Sequence, residues 1–129
     1  MWRQAQALNC VRQQRNSFVK LFTLYLVSLN GQAPTIESVT AMVGRRFESF
    51  TLTEAHGVFR GVQERMWLIH IAADRAEAVL QLAAELREQW KQDGVGIELA
   101  GSYLRVTAET DLRELTEALD RPGKPIDGV

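Results

Sequence analysis

The run "VGIELAGSYLRVT", Val95 to Thr107, decides how many strands the sheet of this protein has. Its β-branched and aromatic content reads as extended chain, and the "AGS" inside it marks either a bulge or a tight turn. Taken as one extended run from Val95 to Val106, it supplies a fourth and last strand. Before it, Ala76, Val79, Leu80, Ala83, Leu86 and Trp90 recur at helical spacing and predict a helix from about Arg75 to Asp93. Asp74 followed by Glu77 has the form of a capping box at its start, and Gly94 suits a left-handed cap at its end.

Further upstream, Thr51 to Phe59 and Glu64 to Ala72 are two extended runs joined by "RGVQ", the pattern of an antiparallel hairpin with Gly61 in the turn. In the second run Trp67, Ile69 and Ile71 alternate with Met66, Leu68 and His70, so the odd positions face the core. Thr35 caps a first helix carrying Ile36, Val39, Val43 and Phe47, weakened by Gly44 in its last turn. Val19 to Val27 reads as the first strand. Thr110 caps a short last helix carrying Leu112, Leu115 and Leu119. Met1 to Asn16 has Trp2, Ala5, Leu8 and Val11 near helical spacing, a stripe too thin to stand alone in water.

The expected order is therefore strand, helix, strand, strand, helix, strand. This is the α+β, ferredoxin-like βαββαβ plan: a four-stranded antiparallel sheet with two helices on one face, plus short N- and C-terminal helices. The expected organisation is a basic amphipathic extension over 1–18, the domain over 19–120 and a loose, Pro- and Gly-rich tail over 121–129.

The stretches "FTLY", "ESFTLTEAHGVFRGVQE" and "WKQDGV", spread over roughly Phe22 to Val106, resemble a group of small bacterial ferredoxin-like proteins of unassigned activity. Phe50, Thr51, Thr53, Gly57, Phe59, Gly61 and Glu64 stand at that group's motif positions, with Phe59 where a tryptophan is expected. The resemblance implies a fold and no reaction, so it assigns no catalytic residue.

Length and composition limit the function classes. A chain of 129 residues suits one domain, and 46% hydrophobic with 24% charged residues is the balance of a globular protein. The net charge of −1 disfavours a protein built to coat nucleic acid, although the chain through Arg46 carries +5 and the remainder −6. Basic residues followed by "LFTLYLVSL" imitate a secretory signal; the long leader and the Pro34 beyond "GQA" favour a buried strand. A single cysteine, Cys10, excludes an internal disulfide and suits a reducing cytoplasm. Two histidines and one cysteine fall short of a closed structural zinc site, so no metal or cofactor is expected.

If Phe59 pairs with Gln63, then His56, His70 and Glu54 gather on the sheet face away from the helices, as an acid and base cluster for a small enzyme. Arg60 and Glu64 at the hairpin turn are candidates for a small ligand, though "GVFRG" is no phosphate loop. Met66 and Leu68 on the open face, helped by Trp2 and Leu8, are candidates for an oligomer interface, a dimer being the simplest. Base stacking on the sheet is disfavoured, since aromatics make up only 8% of the chain and Trp67 and Trp90 fall on core faces. The expected function is a small cytoplasmic binding or regulatory module that self-associates through its sheet and takes a protein or small-ligand partner. The alternatives are an enzyme using the Glu/His cluster and a weak nucleic-acid binder.

Overall fold

A computed structural model describes residues 19–28 and 34–120. In chain order the elements are β1 (Lys20–Val27), α1 (Ile36–Gly44), β2 (Thr51–Phe59), β3 (Val62–Ala73), α2 (Ala76–Gln89), β4 (Gly94–Leu99), β5 (Ser102–Thr107) and α3 (Leu112–Leu119). The strands form one sheet in the order β2-β3-β1-β4-β5, and every neighbouring pair is antiparallel. The fold is α+β, but it is not the four-stranded ferredoxin-like βαββαβ plan: the described residues form a sheet of five strands, with three helices.

The difference lies in Val95 to Thr107. Ala100 (φ 53°) and Gly101 (φ 81°) are both left-handed, which is the backbone of a two-residue hairpin turn that matches strand twist. The physical reason is parity. In one continuous strand Val95 and Ile97 face one way and Leu104 and Val106 the other. Folding back pairs Val95 with Val106 and Ile97 with Leu104, so all four reach the helix-covered side.

The same side collects the rest of the core. Phe22, Leu24 and Leu26 of β1 lie opposite Ile71, Ile69 and Trp67 of β3, and the first two of each are fully buried with Leu26. Val39 and Val43 of α1 and Val79, Leu80, Ala83 and Leu86 of α2 cover them. Leu112, Leu115 and Leu119 of α3 are partly buried against the same core.

The caps depart from expectation in detail. Thr35 begins α1 as read, its side chain accepting from the Ser38 backbone N–H while Ser38 reciprocates. Asp74 does not cap α2: its N-cap is Arg75 and makes no side-chain cap bond. Instead the Ala76 N–H donates to Oδ1 of Asp120 at 2.7 Å, from the end of α3. α2 ends at Gln89, with half-buried Trp90 just beyond it. Lys91, not Gly94, takes the left-handed position (φ 50°), and Gly94 opens β4. Asp111 rather than Thr110 caps α3, accepting from the Glu114 N–H at 3.0 Å. The expected helix over Met1 to Asn16, with Trp2 and Leu8, and the tail over 121–129 lie outside the described residues.

Candidate functional site: the open sheet face

Among the described residues the helices cover only one face of the sheet, and the register fixes which side chains stand on the other. The turn between β2 and β3 is Arg60 (φ 52°) and Gly61 (φ 79°), so Phe59 pairs with Val62, not with Gln63. His56 therefore lies opposite Arg65, and His70 opposite Thr51. His70 shares the open face with Met66 and Leu68, whereas His56 and Glu54 share parity with Leu52 on the helix side. The expected Glu54, His56 and His70 cluster is thus split between two faces. Glu54 is instead ion-paired to Arg65.

His70 bridges three strands. Its Nδ1 is 3.2 Å from the Thr23 hydroxyl on β1 and its Nε2 is 3.3 Å from the Thr53 hydroxyl on β2. The donor and acceptor roles in these two bonds follow the tautomer of the ring. Thr23 and His70, with Leu21, Ser49, Thr51 and Ala72, line a cleft of about 360 Å³.

On the other half of the face, the Tyr25 hydroxyl donates to Oε1 of Glu98 at 3.0 Å. Desolvation, with that carboxylate bond, raises the Tyr25 pKa above its ordinary value, so the phenol stays a donor at neutral pH. The Tyr103 ring meets the Tyr25 ring edge-on, with centroids 5.8 Å apart and planes at 66°. Tyr103 lies across Gly96, where an added Cβ would collide with its hydroxyl. Arg105 lies across Gly94 in the same way, its Nη2 2.8 Å from where a Cβ would stand. The glycines of "GVG" are the seats of these two long side chains.

Met66 covers Gly57 by the same device, and half-buried Glu64 stands beside it on the open face. Arg60 places its guanidinium over the Phe59 ring, 5.1 Å from the centroid. Trp67 keeps to the helix side, its Nε1 donating to the Pro34 carbonyl at 2.8 Å. Among the described residues, no three His, Cys, Asp or Glu side chains converge on a metal position. Glu98, Tyr103 and Arg105 were not singled out from the sequence. Their signal was the alternation in "GIEL" and "SYLRV", concealed while the segment counted as one strand.

No protein-family model matches the chain, and no curated protein matches it. Among solved structures it is similar to a phage SAM lyase in its apo state, with a TM-score of 0.54 and 25% sequence identity. The match covers 70% of this chain and 90% of the phage protein.

Proposed function

We propose that this protein binds S-adenosylmethionine, or a close sulfonium analogue, on its open sheet face and cleaves it as a lyase. The observation that carries the reading is the likeness to the phage SAM lyase across 90% of that chain at 25% identity. The chemistry of the open face supports it. A sulfonium nucleoside combines a fixed positive charge, an amino acid end and a flat base. The face offers carboxylates at Glu64 and Glu98, aromatic rings at Tyr25 and Tyr103, and Arg105 for an anionic group. In a lyase step a C–S bond breaks without water. The bond pair stays on sulfur, which leaves as a neutral thioether, and a donor within the substrate supplies the compensating pair. The protein's task is to hold the cation and exclude competing water. Glu64 and His70 join Glu98 among the acid and base groups of that face, whereas Glu54 and His56 lie on the helix side.

The test is incubation of the full chain with S-adenosylmethionine in ¹⁸O-labelled water, followed by mass spectrometry of the products. Consumption of substrate with no ¹⁸O in the primary products is expected. Unchanged substrate, with no heat of binding at millimolar concentration, would overturn the reading.

A second reading is favoured by the apolar residues of the same face: a cytoplasmic binding module that self-associates through its sheet. Leu21 is 74% exposed and Phe59 62% exposed there, with Met66 and Leu68 only half-buried between them and the polar groups. Such a patch gains by being covered, and a second copy closes it with one self-complementary surface. Among the described residues no helix is long and apolar enough to cross a membrane.

A further inference from the structure

We propose that Tyr25, Glu98 and Tyr103 form the subsite for the cationic end of the ligand, and that Arg105 beside them receives its carboxylate. The inference rests on the S-adenosylmethionine reading and assigns part of the substrate to named side chains. Two rings at 66° make a corner, and Glu98 is bonded to the hydroxyl of one of them. An organic cation is drawn to aromatic faces and to a carboxylate together, more strongly than to either alone. Tyr25 occupies Oε1 of Glu98, and an ionised carboxylate has further lone pairs to offer a ligand.

Glycine leaves room beneath the corner. A Cβ at Gly96 would push the Tyr103 ring from its place across β4, whereas one at Gly94 would meet only the flexible end of Arg105. A tyrosine over a strand glycine is a common packing device. Beyond that packing, the ring is left 61% exposed, edge-on to a second tyrosine whose hydroxyl is committed to a carboxylate. Arg105 sits two residues along β5 from Tyr103, on the same face. A zwitterionic amino acid end offers an ammonium to the corner of Tyr25, Glu98 and Tyr103 and a carboxylate to the Arg105 guanidinium. The arrangement therefore selects an α-amino acid attached to a sulfonium over a simple amine.

The experiment is calorimetry of the full chain with S-adenosylmethionine, alongside NMR of the tyrosine rings with tetramethylammonium chloride as the probe. The variants are Glu98→Gln, Tyr103→Leu and Arg105→Met, with His56→Ala on the opposite face as the control. Each has its fold checked by circular dichroism. The expected result is at least a tenfold loss of S-adenosylmethionine affinity in the first three and none in the control. Glu98→Gln and Tyr103→Leu should also abolish the tetramethylammonium shifts, and Arg105→Met should leave them. Binding of S-adenosylmethionine unaffected by Glu98→Gln and Tyr103→Leu overturns this subsite and leaves the lyase reading standing. Tetramethylammonium shifts without any S-adenosylmethionine binding uphold the cation corner and overturn the lyase reading. Silence with both ligands overturns both.

Discussion

Asp120, the last described residue, holds two other elements with one carboxylate. It accepts from the Ala76 N–H at the start of α2 at 2.7 Å and pairs with Lys20 Nζ at the start of β1 at 3.1 Å. An N-cap bond supplied from a distant part of the chain satisfies the same orphan donor that a local cap would. Asp120→Ala should therefore cost about 1–2 kcal/mol in urea denaturation, while Asp74→Ala should leave the midpoint almost unchanged. The reverse ranking would restore the local capping box. Arg46 and Glu85 join the end of α1 to α2; the hydrogen bond from Arg46 lowers the Glu85 pKa from its ordinary 4.5. A carboxyl lowered on folding stabilises the native state above its unfolded pKa and ceases to as pH falls through the folded value. Wild type should thus exceed Glu85→Gln in stability at neutral pH and lose that advantage as pH falls below 4.5 and through the folded value. Both groups are part-exposed, so the difference should stay under about 1 kcal/mol and shrink in salt. Thr35 was legible as a cap because its partner, Ser38, is three residues away; Asp120 was not, because its partner is 44 residues away.

At the scale of elements, the two hairpins use the same turn with different residues. Arg60-Gly61 and Ala100-Gly101 both place a side-chain residue at a left-handed angle before a glycine. Asparagine tolerates that angle better than alanine. Ala100→Asn should raise stability by about 0.5–1 kcal/mol, read as a shift in denaturation midpoint. Gly101→Val should lower it by more than that gain. If Ala100→Asn is neutral and Gly101→Val harmless, the segment is not turning there. The core helix makes a contrasting case. Leu86 of α2 is fully buried, and Leu86→Ala should cost about 2–5 kcal/mol. The helix was plain in the sequence because its stripe recurs over fourteen residues. The hairpin was not, because two six-residue strands joined by a two-residue turn resemble one long run.

For the whole molecule, the unequal faces of the sheet carry the functional argument. One face is closed by α1 and α2; the other carries His70, Tyr25, Glu98, Tyr103 and Arg105 beside Leu21, Met66 and Leu68. Self-association through that face should show in light scattering as a mass that rises with concentration, and Leu68→Lys should return it to the monomer. A monomeric mass at all concentrations would leave the apolar part of the face to a ligand. Burying a ligand there should weaken self-association, so adding S-adenosylmethionine distinguishes competition for the face from sharing of it.

Local pattern by itself determined the α+β class, the positions of α1, α2 and the first three strands, and the odd core face of β3. Each of these follows from periodicity within one segment, where apolar side chains recur at the spacing of the element that buries them. Register and pairing came only with the tertiary structure. A one-residue shift at the Arg60-Gly61 turn moved His56 and Glu54 to the face opposite His70. A fold-back at Ala100-Gly101 added β5 and, with it, Tyr103 and Arg105. The physical reason is that side chains alternate across a strand with a period of two. A single residue in a turn therefore decides which face a whole strand presents, and that residue is chosen by the burial of distant partners rather than by its neighbours.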